Sequence, residues 1–440
     1  MEKIVIKNFG PIKDVEVQIK DINIFIGHTS SGKSTVAKLV GILQSIEIYQ
    51  IKDLQSFKRI LKKYNIDFEV SKHTYISYES KFCWRLKDLE VSIDHLTNLQ
   101  ETISIAKAPL RTTVWEKSSV PINGMQALSV GSLWDRIERI DRYINGKNSE
   151  NDEFEGILKS TEIARNDLDR LTKIGFHNFS KEVQDAINSL NELFKNSNFN
   201  HLLYIPAERM LLSMVAGSIF NILRGEMRVA SCIKDFGAEF ESARSMLEEF
   251  SIPFFKATYR YDQQENNNYI SFEGGLNIKL EKASSGIQSV APLLLTIEAN
   301  SKQNSVVKTS IIVEEPELNL YPIVQKELTE FVIERVNKSK NKLIITTHSP
   351  YILTSLDNLI QADNAAKVQP ASREKIASIV PEAQWIDFNR VACYFFENGT
   401  CHSTLDIENQ SIGASNIDDV SEALGKTFDQ LLELKYSHVS

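Results

Sequence analysis

The sequence predicts an α/β fold in which helices pack on a mixed, partly parallel sheet, with antiparallel strands opening the chain and a helical insertion in its middle. Three observations carry that prediction. Short strand patterns at the start run into a glycine-bearing loop and then into a stretch with apolar residues at Val36, Leu39, Val40, Leu43 and Ile46, the spacing of one helical face. Far downstream, apolar runs at Ser310 to Val313 and Leu343 to Ile345 flank a helical stretch from about Ile323 to Val336, the strand–helix–strand rhythm of a parallel sheet. Between them, roughly residues 50 to 200 have a different texture, so the sheet is split across the chain.

The elements follow in order. Lys3 to Lys7, Val15 to Ile19 and Ile22 to Ile26 read as strands, with Asn8-Phe9-Gly10-Pro11 as the turn between the first two. The first helix is expected from Thr35 to about Tyr49. In the middle, Thr74 to Leu86 is β-like and Arg111 to Gly131 is polar. Leu133, Ile137, Ile140 and Ile144 then share one helix face, and Val183, Ile187, Leu190 and Leu193 another before Asn196, with the acidic run Asn148 to Glu153 as a loop between. No heptad pattern persists, so no coiled coil is expected. His201 to Ile205 is a strand, Phe240 to Phe250 a helix, and Thr258 to Tyr261 with Tyr269 to Phe272 a hairpin. Val391 to Phe396 and His402 to Leu405 around Asn398-Gly399 form a last hairpin, followed by a helix from about Asp418 to Leu434. The division expected is 1–50 for the opening strands and loop, 51–200 for a mixed, mainly helical insertion, 201–360 for the rest of the core, and 361–440 for a C-terminal hairpin and helix that serve as interface or core extension.

Bulk properties exclude several function classes. At 440 residues the chain exceeds one usual hydrophobic core, so two lobes are expected. Its 42% hydrophobic and 25% charged residues are ordinary for a globular protein. A net charge of −8 gives no whole-chain pull towards nucleic acid or anionic lipid, though a local basic stripe is still open. The four cysteines lie far apart without a C-x-x-C pair, and the eight histidines show no metal-ligand spacing, which suits a reduced, cytoplasmic setting. The first residues lack the apolar segment of a signal peptide. No apolar run approaches the ~20 residues of a membrane helix, so no membrane partner is expected.

Four motifs carry chemistry. Gly27, His28, Thr29, Ser30, Ser31, Gly32, Lys33, Ser34 and Thr35 fit G-x-x-x-x-G-K-[ST] between a strand and a helix, the setting in which that loop cradles phosphates on its backbone N–H groups. In it Lys33 would meet the β and γ phosphates and Ser34 a Mg²⁺ ion. Ser310 to Val313 ends in Glu314-Glu315-Pro316: either an acidic turn, or a metal-side acid at Glu314 followed by a base at Glu315 that polarises water. His348, in Thr346-Thr347-His348-Ser349-Pro350, ends the next strand, where it can be structural or meet a γ-phosphate at the carboxyl edge of the sheet. Ser284, Ser285 and Gly286 precede an apolar helix and can either cap it or bind phosphate there.

Taken together, six ordered blocks resemble the ABC-type ATPases of the SMC, RecF and OLD group, in the compact bacterial form found with phage-defence genes. They are Ile6-Lys7-Asn8-Phe9-Gly10-Pro11-Ile12, the phosphate loop, Tyr204-Ile205-Pro206-Ala207-Glu208-Arg209, the Ser284 segment, Glu314-Glu315-Pro316-Glu317 and His348-Ser349-Pro350. The resemblance implies an ABC-type P-loop head that uses ATP and Mg²⁺ and hydrolyses ATP through Glu315. It also implies that His348 senses the γ-phosphate, that Ser284, Ser285 and Gly286 act in trans on another subunit's ATP, and that Leu318-Asn319-Leu320 crosses the dimer seam. The assembly it implies is a homo-oligomer built from ATP-sandwich dimers.

This chain departs from the group in places. The usual L-S-G-G-Q is Ala283-Ser284-Ser285-Gly286-Ile287, and Glu314 stands where an Asp is usual; either can slow turnover. No clear glutamine-loop residue is present. Glu208-Arg209 is either a nucleotide-responsive stretch or a structural ion pair. The Toprim acids of the OLD nucleases are not found in residues 361–440, so the leading expectation is a sensor or scaffold similar to the PARIS and Septu defence ATPases. Such a protein works with a separate nuclease or toxin effector and is triggered by a phage protein. The competing expectation is a RecF-like or SMC-like repair ATPase that holds DNA through Lys58, Lys62 and Lys63, residues that otherwise form a solvated helix face. A third is an ATP-dependent switch with negligible hydrolysis.

Overall fold

A computed structural model describes residues 2–80, 83–93, 103–107, 109–110, 124–144, 160, 164, 167–168, 181–196, 200–215, 229–302, 308–413 and 425–431. The chain opens with β1 (Glu2–Phe9), β2 (Ile12–Ile19) and β3 (Ile22–Gly27), then α1 (Lys33–Gln44) and α2 (Leu54–Lys63). β1 and β2 pair antiparallel from Glu2↔Ile19 to Phe9↔Ile12, a register in which alternate residues such as Ile4, Ile6, Val15 and Val17 turn inward and are buried. The expected helix to Tyr49 stops early. Ser45 is extended and its side chain accepts from the Glu47 amide, opening a 3₁₀ turn at Ile46–Gln50, the competition that a serine hydroxyl offers to a helical backbone.

The β-like patch after Thr74 resolves into β4 (Tyr75–Glu79), β5 (Cys83–Lys87) and β6 (Glu90–Ile93). These strands continue the opening sheet, since β4 pairs antiparallel with β1. α3 (Gly124–Ile144) and α4 (Lys181–Asn196) follow, burying Leu133, Ile137 and Ile140 on one and Val183, Ile187 and Leu190 on the other. Residues 111–123 and the acidic run Asn148 to Glu153 lie outside the described residues.

β7 (His201–Ile205), α5 (Met210–Val215) and α6 (Ser231–Leu247) come next. α6 starts earlier than the Phe240 expected, because Cys232, Phe236, Phe240 and Ala243 already form a buried stripe. A separate four-stranded antiparallel sheet is built from β8 (Glu249–Ile252), β9 (Ala257–Asp262), β10 (Asn267–Phe272) and β11 (Asn277–Lys279). The chain then returns to the core with α7 (Ser285–Lys302), β12 (Thr309–Glu314), α8 (Pro322–Ser339), β13 (Lys342–Thr347), α9 (Pro350–Val368), β14 (Val391–Glu397) and β15 (Thr400–Ser403). Of the helix expected from Asp418 to Leu434, residues 425–431 are helical and the rest lies outside the described residues.

The main sheet has the order β6-β5-β4-β1-β2-β15-β14-β3-β13-β12-β7. β3, β13, β12 and β7 run parallel, whereas β1, β2, β4, β5 and β6 are antiparallel. The C-terminal hairpin joins the halves. β14 pairs parallel with β3 from Val391↔Ile22 to Phe396↔Gly27, and β15 reaches β2 at Thr400↔Asp14. β14 is therefore part of the interior core, with an almost unbroken buried run, whereas β15 is mostly exposed.

Alternation along the parallel strands divides the helices into two layers. Leu202, Tyr204, Ile312 and Ile344 point into the core that holds Val36, Leu39, Val40 and Leu43 of α1. Leu203, Ile205, Ile311, Val313, Leu343 and Ile345 point into the core of α7, α8 and α9. α1 and α7 thus lie on opposite faces of one sheet. No described helix is long and apolar enough to cross a membrane.

Candidate functional site

Parallel strands bring their carboxyl ends to one edge, and the loops after β3, β12 and β13 meet there. The loop after β3 begins at Gly27, whose φ is 139° and where a Cβ would lie 2.0 Å from the Phe396 carbonyl oxygen of β14. Only glycine fits that approach. Gly32, at φ 100°, caps α1 without a side-chain hydrogen bond, so the first-turn amides of α1 carry their partial positive charge uncapped. Lys33 is buried and donates to the carbonyls of Gly27 (2.9 Å) and His28 (2.7 Å). Burial pulls its ammonium down to about 8, against the upward pull of Glu315 and Glu317.

Glu314 closes β12 as a buried carboxylate, 5% exposed. Tyr204 donates its hydroxyl to Oε2 at 2.7 Å, and Lys38 Nζ stands 3.8 Å from Oε1. Burial raises its pKa, with Lys38, Tyr204 and Ser34 opposing. Oε1 accepts no hydrogen bond. A buried carboxylate oxygen that accepts no hydrogen bond, near a serine hydroxyl, suits a divalent cation. No cluster of three or more His, Cys, Asp or Glu among the described residues could hold a metal alone. One carboxylate and one hydroxyl would leave most of a divalent ion's coordination to oxygens from outside the chain.

Glu315 occupies the left-handed region, φ 42°, with its amide donating to Thr346 at 2.8 Å. Its Oε1 lies 3.4 Å from His348 Nε2. The His348 hydrogen bond holds the Glu315 carboxyl below the usual range, with Lys33 and Arg209 helping and burial opposing. The His348 turn is pinned by Glu317, whose Oε1 accepts from the His348 amide (2.6 Å) and the Thr347 hydroxyl (2.8 Å).

Lys33, Ser34, Glu314, Glu315 and His348 are therefore gathered at one edge. Ser284, Ser285 and Gly286 are elsewhere: the two serines are exposed at the start of α7, and no hydrogen bond or ion pair among the described residues joins the three to residues 27–35. Gly286 instead meets the loop after Glu317, where a Cβ would be 2.9 Å from the Asn319 carbonyl oxygen.

Tyr204, Glu317 and Arg209 stand inside the motif blocks, but the contacts they make at the site were not read from the sequence. The ion pair considered for Glu208-Arg209 does not form. Arg209 is fully buried and donates only to main-chain carbonyls, including those of Glu314 (2.8 Å) and Glu315 (2.9 Å). A buried-strand pattern ending in Pro206 just before it was the available signal. Lys63, considered as a DNA contact, is instead paired with Glu47 (2.7 Å) and Asp235 (3.2 Å), while Lys58 and Lys62 are exposed.

A family model described as "AAA ATPase domain" matches residues 1–213 and 225–353. No curated protein matches. A solved structure entitled "Structure of the recombination mediator protein RecF-ATPrS in RecFOR pathway" aligns over 91% of this chain and 97% of that one, at 11% identity and a TM-score of 0.28.

Proposed function

The chain belongs to the AAA ATPase domain family, and on that premise we propose that it binds ATP with Mg²⁺ and hydrolyses it as an ABC-type head closing on a second copy of itself. The observation that carries this reading is the convergence of Lys33, the Glu314 Oε1 that accepts no hydrogen bond and the Glu315–His348 pair at one sheet edge. Lys33 exchanges the carbonyls of Gly27 and His28 for phosphate oxygens. Ser34 and Glu314 hold the metal, which when bound supplies charge neutralisation for the phosphates. Glu315, kept ionised by His348, orients the attacking water and takes up its proton. His348 Nε2 sits where it can donate to Glu315 or to a γ-phosphate.

Binding and multiple-turnover phosphate release test this. Lys33→Ala is expected to lose MgATP binding by about 100-fold, and Glu315→Gln to keep binding while losing about 100-fold or more in turnover. Normal turnover in both variants sinks the assignment.

For biological role, the motif blocks shared with PARIS and Septu ATPases support an ATP-driven sensor that holds a separate nuclease or toxin until a phage protein triggers release. Co-purification from the host tests this reading, which fails if no effector encoded nearby is recovered. The exposed Lys58 and Lys62 favour the RecF-like alternative, for which ATP-stimulated, salt-sensitive DNA binding is the test.

A further inference from the structure

A guanidinium has five N–H donors, and in Arg209 each is spent on a carbonyl. Nε donates to Ser289 (3.0 Å), one terminal nitrogen to Pro206 (3.2 Å) and Glu314 (2.8 Å), and the other to Glu315 (2.9 Å) and Pro316 (3.2 Å). Those acceptors belong to three separate pieces of chain: the turn that carries Arg209, the start of α7, and the turn that carries Glu315. Beside it, Ser213 donates to the Gln288 carbonyl at 2.6 Å. The Gln288 side chain in turn donates to the carbonyls of Glu281 (2.8 Å) and Ala283 (3.0 Å). The residues flanking Ser284 therefore hang from the same cluster.

Glu315 needs an external hold, because a non-glycine residue at φ 42° stays there only when its surroundings over-determine it. Three successive carbonyls, from Glu314 to Pro316, converge on the one guanidinium and provide that hold. The fourth link, to Ser289, ties it to the helix whose exposed end is Ser284.

We propose that Arg209 is a positioning residue that couples the Ser284 end of α7 to the carboxylate of Glu315. The inference rests on the ATPase reading above. A phosphate docked on Ser284 and Ser285 fixes the start of α7, and the rigid fork from Ser289 to Glu315 passes that constraint to the water-orienting acid. One site's occupancy thereby sets alignment at the other. Lysine, with three donors on a flexible stem, keeps the charge but not the fork.

A double-mutant cycle on kcat, with MgATP affinity measured separately, tests the coupling. Ser284→Ala and Arg209→Lys are each expected to lower kcat by about tenfold while leaving MgATP affinity within about twofold, and the double variant to be no slower than the worse single one. Wild-type kcat in Arg209→Lys, or losses that multiply, overturns the proposal. Should Arg209→Lys not fold, Ser213→Ala replaces it in the same cycle, with the same outcomes decisive. A wild-type chain without turnover sinks the ATPase reading and the coupling together, whereas an active chain with multiplying losses sinks the coupling alone.

Discussion

Burial pulls the Lys33 ammonium down to about 8, so the charge that the proposed site offers a phosphate depends on pH. Below that pH the free loop is protonated and ready. Above it the neutral amine must take up a proton on meeting a polyphosphate, so MgATP affinity is expected to fall by up to about tenfold per pH unit beyond 8. Calorimetry in two buffers of different ionisation enthalpy should report that proton uptake at pH 9 and little at pH 7; equal heats at both would refute it. Glu315 makes the mirror case. Its pKa is held down chiefly by the His348 hydrogen bond, so His348→Ala lets it rise. The acid limb of the kcat profile should then move to higher pH, and an unmoved limb would show that His348 does not support this acid. Lys33, Ser34, Glu314, Glu315 and His348 were legible in the sequence because each lies within a few residues of a strand end. Arg209, Tyr204 and Glu317 stood in the motif blocks, but their contacts were not legible, because their partners lie far away in the chain, from Glu314 about a hundred residues beyond Tyr204 to the His348 amide about thirty beyond Glu317.

At the scale of elements, the site depends on how closely β14 approaches β3. The Phe396 carbonyl lies where a Cβ on Gly27 would fall, 2.0 Å away, and it accepts from the His28 amide at 3.3 Å. Gly27→Ala must therefore force the two strands apart as well as strain a φ of 139°, and a loss of about 3 kcal/mol or more is expected. Denaturant unfolding of the nucleotide-free chain checks this, and a midpoint unchanged from wild type would mean that the loop relaxes freely. The strands β3, β7, β12 and β13 were readable as short continuous apolar runs, the pattern of strands buried on both faces. The hairpin of β14 and β15 was readable as a hairpin, but not as the seam of the sheet. An apolar run says that a strand is buried and leaves its neighbours unnamed, since pairing is fixed by contacts distant in sequence, such as Val391 with Ile22. The Thr74 to Leu86 patch followed the same logic: its β character was visible, its partner β1 was not.

For the whole molecule, the decisive fact is that α1 and α7 pack on opposite faces of the main sheet. The phosphate loop opens at the start of α1, and the exposed serines lie at the start of α7. A helix start with exposed hydroxyls suits an anion, and among the described residues no hydrogen bond or ion pair joins Ser284, Ser285 or Gly286 to residues 27–35. The proposed dimer requires that a second copy, related by a two-fold axis, present its loop to the first copy's α7 and receive the reciprocal contact, because an isologous interface makes each contact twice. The exposed Tyr321, Ile323 and Tyr351 follow β12 and β13 on the same edge, where they would add apolar area to the proposed interface. Glu315→Gln with MgATP is therefore expected to double its mass in analytical ultracentrifugation and to return to one copy when nucleotide is removed. Adding Ser284→Arg should abolish the doubling and leave MgATP affinity within about threefold, because the loop that binds nucleotide belongs to the other face. If the doubled species persists with Ser284→Arg, the copies meet through a different surface and α7 caps nothing but itself.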